Sequence, residues 1–317
     1  MSATPVLVEW SAQQKREFMR APMLFDHRLC ETDLFSERAL EALLDGYPVD
    51  GIDINLYDFD QAGQVSLKTG ARGGVSGAQL LDAVRSGRLW LNCRDIMKMA
   101  PAIGAQVRRA LGEMSAMCAD FAAVKSWGQL IISSPRAKVP FHADPSGVIL
   151  FHLQGRKRIF IYPADEAHAP SLELEKIVAQ QQVEDLPYQT SMDAAAKVFD
   201  LEPGQAITWP LYAPHRVENL SGLCVSLSVD FLTREQQVLN GAHFTNLALR
   251  QLGLRPTPAH QLSPPAQKAF WLASGVFKRM GVLKERLSAL PRDFRPDPAA
   301  PDGAGALGAV GRSVESA

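Results

Sequence analysis

The run from Val139 to Pro163, VPFHADPSGVILFHLQGRKRIFIYP, constrains the fold more than any other part of the chain. Val148 to Leu153 is a stretch of strand length, apolar except for His152. Pro145, Ser146 and Gly147 separate it from the segment before, and Gln154-Gly155-Arg156 reads as a turn that sends Lys157 to Tyr162 back as a further strand. From Ala123 to Phe231 the same character persists. AITWP (206–210) and CVSLSVDF (224–231) are short strands between Pro and Gly turns, and only Leu172 to Gln182 reads as helix. In the last of these strands Val225, Leu227, Val229 and Phe231 share one face, and Ser226, Ser228 and Asp230 share the other. Short strands in this density predict a barrel or jelly roll.

The flanks differ. Glu37–Leu44, behind Ser36 as N-cap, and Ile103–Met117 have helical spacing, as does Ser76–Ser86, whereas 51–59 (GIDINLYDF) and 88–93 (RLWLNC) read as strands. Residues 1–122 are therefore expected to be a mixed flank packed on a β core at 123–234. Beyond it, Glu235–Gly253 and Pro265–Leu290 carry apolar stripes at helical spacing, which makes 235–292 a helical unit and a candidate homodimer contact. The Pro-, Gly- and Ala-rich tail, 293–317, reads as disordered. With 46% hydrophobic residues in a chain of 317, a large core is available to this mainly β fold with helical flanks.

Within the constraining run, His142 and Asp144 stand two apart, so an extended backbone aims both side chains the same way. His215, ahead of the final strand, is a candidate third ligand. Two histidines and one carboxylate on one side of an ion leave its other positions open, a pattern suited to non-heme Fe(II). The competing readings are a hydrogen-bonded His–Asp pair beside a proline turn and a capping histidine next to Pro214. Lys157 falls on the opposite face from Arg156 and Arg158, and its plain alternative is an exposed hairpin lysine.

In this order, His142-Ala-Asp144, Gly155-Arg-Lys157 and Pro214-His215 resemble the cupin-like, Jumonji C type oxygenases, which include the asparaginyl hydroxylase acting on hypoxia-inducible factor. The resemblance covers roughly Trp127 to Phe231. It implies a double-stranded β-helix, Fe(II) held by His142, Asp144 and His215, and the far carboxylate of 2-oxoglutarate held by Lys157. It implies an oxygenase, in the first instance a hydroxylase of a protein side chain or small molecule. A non-catalytic cupin-like ligand-binding or regulatory module is the alternative. Two positions depart from that hydroxylase: Val139 stands where it has Thr, and Asp230 where it has Asn. Ser226, Ser228 and Tyr212 are expected to supply the neutral donors around the co-substrate, with Ser133 and Ser134 as further candidates.

Charge and cysteine usage limit the remaining classes. Lys plus Arg number 33 against 34 Asp plus Glu, so nucleic acid is not indicated as a partner. Cys30, Cys93, Cys118 and Cys224 are scattered and form no C-x-x-C pair, which fits a reducing compartment. No leader or membrane-spanning run is legible, and the chain is expected to be cytoplasmic.

Overall fold

Period-two alternation over Cys224–Phe231 is the plan of the main sheet. One set of side chains enters a dry core, and the other set lines a polar interior. The computed structural model describes residues 4–59, 65–283, 291–300 and 302–306. Its strands in chain order are β1 (Met23–Asp26), β2 (Ile52–Phe59), β3 (Val65–Gly70), β4 (Leu89–Cys93), β5 (Lys125–Ser133), β6 (Lys138–His142), β7 (Gly147–Ile161), β8 (Lys197–Leu201), β9 (Gln205–Thr208), β10 (His215–Leu232), β11 (Arg292–Pro296) and β12 (Ala304–Ala306). The helices are α1 (Ala12–Glu17), α2 (Glu37–Gly46), α3 (Gly77–Ser86), α4 (Ile96–Met99), α5 (Pro101–Met117), α6 (Ser171–Val178), α7 (Arg234–Gln251) and α8 (Pro264–Met280). The strands follow the order β1-β9-β7-β10-β5-β4-β2-β3-β11-β12, with β6 beside β10 and β8 beside β7. The strands of the N-terminal flank thus hydrogen-bond into the same sheet as the core.

The antiparallel pair β7 and β10 is the spine. It corrects the expected turn at Gln154-Gly155-Arg156: β7 runs through that point, and Lys157 continues the strand instead of returning across a hairpin. Gly155 bends the strand at φ +76, and Gly222 bends the partner strand at φ +71. A Cβ on Gly155 would lie 2.7 Å from Cys224 Sγ, so only glycine fits both the backbone and the space. The bend doubles the pair over. Val148 and Leu150 before it meet Ile159 and Ile161 after it in a small apolar cluster completed by Leu201, Ile207, Trp209 and Val217.

The other face of the sheet is drier and larger. Ile54, Leu91, Ile132, Val225, Leu227, Val229 and Phe231 are fully buried there. The helices that cover it bring apolar residues at helical spacing, such as Ile103, Val107, Ala110 and Met114 of α5. Ser36 caps α2 through its hydroxyl, as the sequence predicts, and Ser76, expected inside the next helix, caps α3 in the same way. The helix expected over Leu172–Gln182 stops at Val178, close to Gln180, which takes a left-handed φ of +59.

The tail requires a second correction. Residues 292–296 and 304–306 are strands, not disordered chain. β11 pairs in parallel with β3, Phe294 is buried against Gly70, and Arg88 grips Asp302 through two bonds of 2.8 and 3.1 Å. One aromatic anchor and one ion pair order a segment whose composition argues otherwise. Residues 307–317 lie outside the described residues. The last helix, expected to reach Leu290, ends at Met280 with Gly281 at φ +62, and 284–290 are likewise outside the described residues.

Candidate metal centre

β6 ends at His142, whose Cα partner on β10 is His215, so the ladder itself brings two imidazoles together. Their ring centroids are 4.1 Å apart. Asp144 follows two residues after His142, and its Oδ2 lies 3.4 Å from His215 Nε2. One donor atom from each of His142, Asp144 and His215 lies within 4.8 Å of the others. Two ligands about 2.1 Å from one ion and at right angles to each other would be about 3 Å apart, so the set can close on an ion with a small adjustment.

The hydrogen bonds behind the rings fix their tautomers. His142 Nδ1 donates to the Pro140 carbonyl at 2.8 Å and His215 Nδ1 to the Ala213 carbonyl at 3.3 Å. Carbonyl oxygen only accepts, so each Nε2 keeps its lone pair for an ion. Burial, and then the neighbouring His142, push His215 well below the usual histidine range, and burial raises Asp144 despite His142. A neutral buried imidazole beside a half-buried carboxylate is costly alone and is matched by a divalent cation, which relieves the desolvation of both. The donor set therefore fits a metal. The Trp209 ring, 4.4 Å from that of His215, walls the site on one side.

Lys157 is 3% exposed on β7, while its neighbours point outward: Arg158 pairs with Asp200 at 2.6 Å and Arg156 with Glu202. Burial pushes the Lys157 ammonium down to about 8. Among the described residues no carboxylate pairs with it, and the ionisable group that acts on it is the Cys224 thiol. Next to it His152 is held neutral, with burial and then Lys157 lowering it to about 3. Its Nε2 donates to the Gly155 carbonyl at 2.9 Å, so its Nδ1 accepts from Ser226 Oγ at 3.0 Å.

The expected donors are distributed unevenly. Ser226 and Ser228 do lie on the polar face of β10, with Ser226 engaged by His152. Tyr212 is a correction: its hydroxyl donates to Asn240 of α7, and its ring packs with Phe141 and Ala143 instead of with the apolar cluster around Ile159 and Ile161. Ser133 Oγ accepts from Asn219, which leaves its O–H available, whereas Ser134 donates its proton to the Val84 carbonyl. Asp230 is buried, accepts from Ser146 at 2.8 Å and from Gln129 at 3.4 Å, and is raised to about 7 by burial and then by Asp144. A carboxyl pushed toward its neutral form by burial and doubly hydrogen-bonded is less repulsive to an anion than a free one.

Sequence reasoning missed the segment at 184–186. Asp185 bridges His142, the Ala143 amide donates to the Glu184 carbonyl, and the Leu186 amide donates to the Phe141 carbonyl. Glu184 is raised to about 7 by burial and then by Asp144. Glu184 also lines a cavity of about 620 Å³ with Trp127, Ser146, Gln182 and Asn240. No spacing signals these residues, because they reach the site by chain return from outside the core strands.

No protein-family model matches the sequence, and no curated protein matches it. Among solved structures the chain is similar to that of Escherichia coli ycfD, at 17% identity and a TM-score of 0.50 over 92% of this chain and 77% of that one. A structure of the E. coli ribosomal oxygenase YcfD is 16% identical, with a TM-score of 0.48 over 88% and 68% of the two chains. The structure of YcfD in complex with cobalt and 2-oxoglutarate is also 16% identical, with a TM-score of 0.47 over 92% and 76%. The first likeness is one of fold: a mainly β, cupin-like architecture with helical parts.

Proposed function

We propose that the chain is an Fe(II)- and 2-oxoglutarate-dependent oxygenase, a hydroxylase whose chemistry is carried by a jelly-roll core at 123–234. The observation that carries this reading is the convergence of His142, Asp144 and His215 with both Nε2 lone pairs left free. When bound, Fe(II) with 2-oxoglutarate supplies dioxygen-driven oxidation of an unactivated C–H bond, coupled to release of succinate and carbon dioxide. The chain supplies the rest.

In this reading His142, Asp144 and His215 would hold the ion, and three protein donors would leave it room for the oxo acid and dioxygen. Lys157 meets the far carboxylate of 2-oxoglutarate, and that anion offsets the desolvation of a buried ammonium that has no carboxylate partner among the described residues. Ser228 faces the same interior as a neutral donor, whereas Ser226 gives its hydroxyl proton to His152 Nδ1 and presents only acceptor lone pairs. Trp209 excludes water from one side of His215. The primary substrate, a protein side chain or a small molecule, enters through the 620 Å³ cavity beside Ser146 and Glu184.

The partner and compartment belong to the same proposal. Leu272, Val276 and Met280 form an exposed stripe at four-residue spacing on α8, which suits a homodimer contact within 235–292. All four cysteines are free, as a cytoplasmic protein requires, and among the described residues no helix is long and apolar enough to cross a membrane.

The test is direct. His142→Ala and Asp144→Ala should each lose Fe(II) binding and the substrate-free conversion of 2-oxoglutarate to succinate. Unchanged iron stoichiometry in both variants would overturn the ligand assignment. The departure at Asp230, where the resembled hydroxylase has Asn, is what keeps open the alternative of a non-catalytic cupin-like module. A parent protein that binds 2-oxoglutarate but never consumes it with Fe(II) and ascorbate would establish that alternative.

A further inference from the structure

We infer that Asn240 is a positioning residue for the metal centre, acting from outside the β core as a brace between the two chain segments that carry the ligands; this rests on the metal-binding reading above. Asn240 lies in α7, which starts directly after β10 and is fixed there by a capping box between Thr233 and Gln236. Both ends of its carboxamide are used. Oδ1 accepts from the Tyr212 hydroxyl, and Nδ2 donates to the Pro145 carbonyl at 2.7 Å. The carbonyl can only accept, so the amide has one orientation.

The two partners are what make this contact functional. Pro145 immediately follows Asp144, and Tyr212 is three residues before His215. One side chain therefore ties the carboxylate-bearing segment to the segment carrying the second histidine. The strand ladder does not do this alone, because the pairing of β6 with β10 shifts register between His215 and Val217, right at the ligand. Tyr212 itself holds a left-handed φ of +62, a conformation that a tyrosine keeps only when its surroundings enforce it. Its ring packs edge-on against His243 of the same helix, at 5.0 Å between centroids, so α7 grips this residue at two points. Metal affinity depends on small displacements of ligands, and supports behind the ligands are where such displacements are controlled.

Asn240→Asp keeps the acceptor for Tyr212 and places a second oxygen against the Pro145 carbonyl. Tyr212→Phe removes only the hydroxyl and preserves the packing. Both variants should bind Co(II) about 10- to 100-fold more weakly than the parent and shift its visible absorption bands, with the larger effect in Asn240→Asp. Asn246→Ala serves as the control. It is buried on the same helix and donates to the Thr257 carbonyl, and it should lower Tm while leaving Co(II) affinity per folded molecule unchanged. If the parent binds Co(II) and both variants bind it with the same Kd and spectrum, the brace is refuted while the metal reading stands. If Asn246→Ala weakens Co(II) as much as Asn240→Asp does, α7 acts as a general support and the inference also fails. A parent that binds no Co(II) would overturn the metal reading itself.

Discussion

Leu227 and Ser228 are neighbours on β10 and face opposite surroundings. Leu227 enters a core in which Val225, Val229 and Phe231 are also fully buried. Ser228 faces an interior that also holds His152, Lys157, Asp230 and His215, all buried and all polar. The first face stabilises the fold at about 25 cal/mol per Å² of apolar surface removed from water. The second is destabilising until its groups are paired, because buried polar and charged atoms lose hydration. The difference indicates a division of labour along the end of β10: Val225, Leu227, Val229 and Phe231 hold the molecule together, while Ser226, Ser228 and Asp230 keep polar groups in the interior.

Three substitutions probe that division. The largest expected effect on stability is at the dry face, where Leu227→Ala should cost about 2–5 kcal/mol in urea unfolding. Co(II) affinity of the molecules that remain folded should not change. A loss of affinity matching the loss of stability would mean that the two faces are not separable.

Lys157→Met should act in the opposite direction. Replacing an unpaired buried ammonium with an apolar isostere should stabilise the ligand-free protein by about 1–3 kcal/mol at pH 7, while abolishing the rise in Tm produced by 2-oxoglutarate or its inert oxalyl analogue. The parent should also show a pH signature. Below about pH 8 both folded and unfolded chains hold the lysine proton, and the folded state bears the full cost of burial. Between there and about 10.5 the unfolded chain keeps a proton that the folded one has released, so the free energy of unfolding should climb with pH and then level off. Lys157→Met should lack this climb, and an identical pH profile in the two proteins would remove Lys157 from the argument.

The smallest effect belongs next door. Arg158 is exposed and paired with Asp200, so Arg158→Ala should leave both the urea midpoint and co-substrate binding unchanged.

These contrasts also explain what could be read in the sequence. Alternation placed Ser226, Ser228 and Asp230 together, and the i, i+2 rule aimed His142 and Asp144 alike, because strand geometry is local. Lys157 was set apart from Arg156 and Arg158 by the same parity. What could not be read depended on partners distant in sequence. Gln154-Gly155-Arg156 has the composition of a turn, but two long strands bend together there, with Gly155 stacked on Gly222 some 67 positions later. Tyr212 offered a phenol near the second histidine, and only the docking of α7 shows that Asn240 takes it. The tail looked disordered because Phe294 and Asp302 find Gly70 and Arg88 only in the folded chain.

The unbroken course of β7 has a consequence for selectivity. Ile161 sits opposite His215 on the ladder and Lys157 lies four positions earlier on that strand, a separation of about 13 Å along the backbone. On the proposed reading the backbone would serve as a gauge between ion and ammonium, and a diacid would need the carbon count that spans the gap left between the side chains. A homologous acid one methylene shorter would fall short of the lysine. Inserting a single residue between these two positions would lengthen the gauge and turn the ammonium to the outside.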